Sequence, residues 1–141
     1  MSLQLYIERL ERFSRQCGAT VIRNSLESGV LGRVEGRRIV LRSGLSLELE
    51  LLTLAHELTH LLAHCNASPR LNRTVCEYEA EAVEKWVGAA LDVSPHAEAG
   101  LDVASLTDDL LAGSVIRVRW AAATLLRVAR GGAVEYQRLQ A

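Results

Sequence analysis

Thr53-Leu54-Ala55-His56-Glu57-Leu58-Thr59-His60-Leu61-Leu62-Ala63-His64 is the stretch on which the reading of this chain turns. A helix turns about 100° and rises about 1.5 Å per residue, so His56 and His60 stand roughly 40° apart around the axis and about 6 Å apart along it. Both imidazoles can therefore reach one ion. Glu57 lies about 100° from His56, near enough to act on a water held there and badly placed to be a ligand itself, which suits a general base. Leu51, Leu54, Ala55, Leu58, Leu61 and Leu62 gather on the opposite side, giving the helix an apolar face and a chemical face. His64 is about 12 Å from His56 along a straight helix, too far to share a tetrahedral ion with it, and is expected beside the cleft or on the surface. The glycine and third histidine of the longer metzincin pattern are missing.

The rest of the chain sets limits around this motif. At 141 residues, 49% hydrophobic and 23% charged, it reads as one soluble globular domain over 1–141 with a single core. The apolar runs are all broken by charge, so no membrane span is expected, and with no secretory leader the expected compartment is the cytoplasm. Three cysteines, Cys17, Cys65 and Cys76, form no CxxC pair and fit free thiols in a reducing compartment. Fifteen of the sixteen basic residues are Arg, but no basic cluster is interleaved with aromatics, and direct nucleic-acid binding is not expected. Charge is uneven all the same: residues 1–45 carry eight Arg against four Glu, whereas residues 76–109 carry nine acids against Lys85 alone.

In chain order, Ser2 to about Gln16 has the periodicity of an amphipathic helix ending near Gly18. Thr20 to Arg23 reads as a short strand, and Gly32 to Leu41 as an antiparallel hairpin turning near Gly36. Ser46 can cap the histidine helix, with Glu48 and Glu50 favourable in its first turn, although Leu47 to Leu51 also alternates like a strand. Residues 65–73 read as a loop. Thr74 is then expected to cap a second long helix to about Leu91, and Asp92 to His96 to follow as its end. Ser105 to Asp108 resembles a capping box for a short helix that stops near Gly113, and Ser114 to about Arg130 reads as a last helix with Val115, Val118, Leu125 and Leu126 turned inward.

On the helix after the loop, Glu77, Glu81, Glu84 and Gly88 make one stripe, and Val83, Trp86, Val87 and Ala90 another that can bury. Four acids in eight residues are usually a solvated face, but two histidines holding zinc still need a third protein ligand. Glu77 comes seventeen residues after His60, enough chain to bring this helix across the first. Glu81, one turn on, can accept the ring N–H of His56 or His60 that faces away from the ion. Cys76 points about 100° from Glu77 and is not expected to bind the same ion.

His56-Glu57-Leu58-Thr59-His60, followed by Glu77-Tyr78-Glu79-Ala80-Glu81-Ala82-Val83, resembles the ImmA/IrrE family of zinc metallopeptidases and the related zincin domain of ArdC-like antirestriction proteins. The resemblance covers about residues 30–91. It implies zinc as cofactor, His56, His60 and Glu77 as its ligands, Glu57 as the catalytic base, and a supporting role for Glu81. Gly88-Ala89-Ala90-Leu91 matches the family's Ala-rich continuation. Glu84 stands where a small residue is usual, and the helix-turn-helix and single-strand-binding domains of some relatives are not expected here.

The expected fold is α+β: a minimal zincin-like domain with a small antiparallel sheet beside the HExxH helix and further helices C-terminal to it. The expected activity is a narrow-specificity zinc endopeptidase acting on a protein partner such as a transcriptional repressor. The rival reading is a non-catalytic, zinc-stabilised accessory module of antirestriction type. Keeping Glu57 favours the enzyme, since a structural zinc site needs no base. His96, Tyr78 and His64 are the candidates for stabilising an oxyanion.

Overall fold

The structure is a computed structural model that describes residues 2–64, 71–93 and 110–134. Four helices and three strands follow in the order α1 (Leu3–Gln16), β1 (Thr20–Asn24), β2 (Gly32–Glu35), β3 (Arg38–Arg42), α2 (Leu47–Thr59), α3 (Arg73–Ala90) and α4 (Ala112–Ala129). A π-helical turn, His60–His64, continues α2. The fold is α+β, as expected. No helix among the described residues is long and apolar enough to cross a membrane.

Local chemistry sets the element ends. Ser2 and Ser46 accept from the backbone N–H of Leu5 and Leu49, capping α1 and α2. Leu47–Thr59 is thus helix throughout, with no strand at its start. The cap of α3 is Asn72 rather than Thr74: its side chain accepts from the N–H of Thr74, so the helix begins one residue earlier than that threonine. Cys65, His96, and the Ser105 to Asp108 capping box lie outside the described residues.

The sheet is mixed rather than wholly antiparallel. The hairpin pairs β2 with β3 antiparallel, Val34 opposite Ile39, whereas β1 lies parallel to β3, Val21 opposite Ile39. The order is β1-β3-β2. Composition explains the central strand: β3 carries the buried run Ile39-Val40-Leu41, and only a strand flanked on both sides can hide so apolar a segment. β1, as long as β3 but more polar and nowhere fully buried, takes the free side.

α2 packs against α1, α3, β2 and β3 together. Its Leu51, Leu54, Ala55, Leu58 and Leu61 are buried, with Leu62 partly so, in one core with Ile7 and Leu10 of α1, Val83 and Val87 of α3, and Val118 and Leu125 of α4. Val115 is only half-buried. Arg23 ties β1 to both neighbouring helices through Glu11 and Glu50.

One close approach brings the sheet's edge onto the chemical face of α2. A Cβ on Gly32 would lie 2.7 Å from Thr53 Cγ2, 3.2 Å from the Val40 carbonyl and 3.4 Å from Glu57 Cγ. Thr53 is β-branched and buried, so it has little room to turn away. Gly32→Ala should therefore destabilise the protein by about 1–3 kcal/mol, the usual cost of overpacking, as read by denaturant unfolding. Gly36→Ala, at a hairpin position with open space around it but φ +62°, should also cost stability, through backbone strain alone.

Candidate metal centre

α3 packs against α2 and its acids meet the histidines across the contact: His56 meets Glu84, and His64 meets Glu79. Between them sits Glu77. Its Oε2 is 3.2 Å from His56 Nε2 and its Oε1 is 3.0 Å from His60 Nε2. His56, His60 and Glu77 offer ligand atoms that all lie within 4.8 Å of one another.

The other ring nitrogens have partners of their own. His56 Nδ1 is 3.0 Å from Glu84 Oε1, and His60 Nδ1 is 2.8 Å from His64 Nδ1. A carboxylate only accepts, so His56 Nδ1 carries a hydrogen. Its Nε2 faces Glu77 Oε2 at 3.2 Å, a contact that needs a proton or a metal ion between nitrogen and oxygen, and His56, raised against its burial by the bond to Glu84 and the nearby acids, can hold a proton there. A proton fills that place poorly at His60, where burial, with the charges of His56 and His64, pushes the imidazole down to about 4. A metal ion answers the geometry better.

Glu81 stands elsewhere. Its carboxylate pairs with Lys85 at 2.9 Å on the exposed side of α3, and the acid that reaches His56 is Glu84. Seven residues make nearly two full turns, so Glu84 returns to within about 20° of Glu77's line, whereas Glu81 is about 40° off it. Cys76 lines the same cleft but is outside the converging group, and burial raises its thiol. Tyr78 is exposed and is not among the described residues lining the cleft; His64 does line it.

Glu57 is 7% exposed and also borders the cleft, a cavity of about 810 Å³ between β2 and α3. Burial is the main cause that raises its carboxyl to about 7; His56 opposes this, and the charges of Glu77 and Glu84 add to it. A carboxyl near 7 is matched to general acid and base work at neutral pH.

Glu79 was not singled out from sequence. It is fully buried, held by Arg117 Nε to Oε1 and Nη2 to Oε2, both at 2.8 Å, with Ser114 Oγ also donating to it. Burial alone would raise its carboxyl, but the bonds from Arg117, Ser114 and His64 outweigh this and hold it below the ordinary range. A sequence signal for it existed: Glu79 heads the apolar stripe of Val83, Trp86, Val87 and Ala90 instead of sharing the stripe of the other acids.

Residues 10–95, more than half of the chain, match the family model Peptidase_M78, described as the IrrE N-terminal-like domain. The chain belongs to this family. It is a family of metal-dependent peptidases, which agrees with the converging histidines and carboxylate. No curated protein and no solved structure matches the chain.

The raised Glu57 has a measurable consequence in metal-free protein. Since its folded value of about 7 lies above the ordinary 4.5, its contribution to stability is full below about pH 4.5 and is lost as pH rises through 7. His60, depressed to about 4 from 6.5, contributes in the opposite sense: its contribution is full above about pH 6.5 and is lost as pH falls from there through 4. Glu57→Gln should thus make the chelator-treated protein melt higher than wild type at pH 8, with the gap closing toward pH 5.

Proposed function

We propose that this protein is a zinc-dependent endopeptidase of narrow specificity, with His56, His60 and Glu77 as metal ligands and Glu57 as general base. The observation that carries the reading is the meeting of two imidazole Nε2 atoms and one carboxylate beside a buried glutamate in a single cleft. The donor set, two nitrogens and one carboxylate oxygen with room for a fourth ligand, fits catalytic zinc. When bound there, the ion supplies Lewis acidity toward water and the scissile carbonyl. Glu57 takes a proton from the attacking water as its oxygen bonds to the carbonyl carbon, then delivers it to the amine nitrogen as the C–N bond breaks. Glu84 accepts the Nδ1–H of His56 and keeps Nε2 turned to the site.

Specificity follows from how a substrate reaches this cleft. β2 is a sheet edge, and residues 30–34 line the cleft along it. An extended polypeptide can add to such an edge through main-chain hydrogen bonds. A folded protein must therefore offer an exposed linker, and a repressor with a cleavable segment between two domains is a partner of that kind. This protein acts in the cytoplasm on that reading.

Protein purified without chelator should carry about one zinc per chain by elemental analysis, and Glu77→Ala should lose it. Glu57→Gln should keep zinc and partner binding while abolishing cleavage. Incubation with a repressor encoded beside the gene should yield one cut, and with casein none. Casein cut at many sites would refute narrow specificity; a repressor bound but left whole by wild type would favour a non-catalytic zinc module.

The two acids on α3 should separate in a chelator competition. Glu84→Ala should weaken zinc binding by about 10 to 100-fold, whereas Glu81→Ala should leave it near wild type. The reverse order would return the supporting role to Glu81.

A further inference from the structure

We propose that α4 belongs to the support of the metal centre: through Arg117, Glu79 and His64 it determines which ring nitrogen His60 offers to the ion. The inference rests on the zinc reading above and concerns positioning residues that touch neither ion nor substrate.

The logic is a chain of hydrogen-bond roles. His64 Nε2 is 3.0 Å from Glu79 Oε1, and a carboxylate can only accept, so Nε2 carries the hydrogen of His64. A neutral imidazole has a single N–H. His64 Nδ1 is therefore an acceptor, and the hydrogen in the 2.8 Å contact between the two Nδ1 atoms is on His60. His60 Nε2, 3.0 Å from Glu77 Oε1, is then free to give its lone pair to an ion; with no ion between them Glu77 is a rival acceptor for the same hydrogen, and His64 draws that hydrogen to Nδ1 against it. If His64 donated instead, His60 would carry its hydrogen on Nε2 and could not bind the ion there.

The outcome depends on Glu79 staying where it is. Its two oxygens are held by a two-pronged Arg117 and by Ser114, all of α4, and its side chain is 1% exposed. A buried carboxylate is costly to keep and gains nothing for a core that could hold a leucine there. Here it orients His64, whose side chain is 7% exposed and closed in by the π-helical turn. Ser114 and Arg117 lie beyond the span 10–95 matched by the family model, so part of the support comes from outside that span.

The test measures zinc affinity by competition with a chromophoric chelator, and the ring tautomer of His60 by ¹⁵N NMR of metal-free protein. Glu77→Ala, which removes the rival acceptor, should show His60 with its hydrogen on Nδ1. His64→Leu, which keeps bulk but cannot accept, should mix the tautomers and weaken zinc by about 10 to 100-fold. His64→Asn, whose amide oxygen can stand in for Nδ1, should recover part of that loss. Arg117→Met should weaken zinc as His64→Leu does, while Arg119→Ala on the exposed side of α4 should not. A wild type that takes up no zinc overturns the zinc reading and this inference with it. Zinc bound normally by wild type and by His64→Leu, with the tautomer unchanged, overturns this inference alone. Should the leucine variant fail to fold, the tautomer in Glu77→Ala decides: a hydrogen on His60 Nε2 there refutes the proposal.

Discussion

The packing of α3 against α2 is the contact on which the rest of this structure depends. Two imidazoles on one helix and two carboxylates on the other meet across it, and each ring nitrogen has a partner, Glu77 serving both rings. An imidazole left to itself turns freely about χ2 and exchanges tautomers. Here one nitrogen of each ring is committed to a carboxylate or a second imidazole, and this leaves the other directed at Glu77. The leucines on the reverse of α2 supply the force that holds the helices in register, because burying Leu54, Leu58 and Leu61 against α1, α3 and α4 allows no rotation of the chemical face.

How much of this was legible depended on whether a feature was set by one element or by two. The convergence of His56 and His60, the place of Glu57 beside them and the apolar reverse face are properties of a single helix and could be read from spacing. Ser46 as a cap and the turn at Gly36 are equally local. Glu77 required a family resemblance, since nothing in its own helix distinguishes it from Glu81 or Glu84. The choice of Glu81 as partner of a histidine failed for a related reason: which acid meets His56 is decided by how α3 is laid along α2, and that is a property of the pair. The parallel β1 belongs with these cases, because Thr20 to Arg23 has no feature that gives its direction relative to a strand fifteen or more residues away.

Glu79 shows a different limit. An acid in a run of acids reads as solvent-facing, and only its position above Val83 and Val87 hints otherwise. Its partners Ser114 and Arg117 come 35 and 38 residues later, on a helix whose polar residues look like ordinary surface. The network is therefore invisible until α4 is placed, although its effect reaches His60 through only two side chains.

The charges around the cleft give the arrangement its direction. Glu57, Glu77 and Glu84 stand around two histidines, and of these His60 resists protonation while His56 is raised, since the bond to Glu84 and the charges of the three acids outweigh its burial. Burial, with the charges of Glu77 and Glu84 added to it, holds the carboxyl of Glu57, the most buried of the three acids, to its proton up to about pH 7. A divalent ion held by His56, His60 and Glu77, as proposed above, would reverse that balance: it would favour the ionised form of the acids nearby and lower Glu57 toward the state in which it can accept a proton. On the proposed function, metal binding and activation of Glu57 would then be one electrostatic event, and the metal-free protein, with Glu57 holding its proton, would be poorly placed to use it as a base.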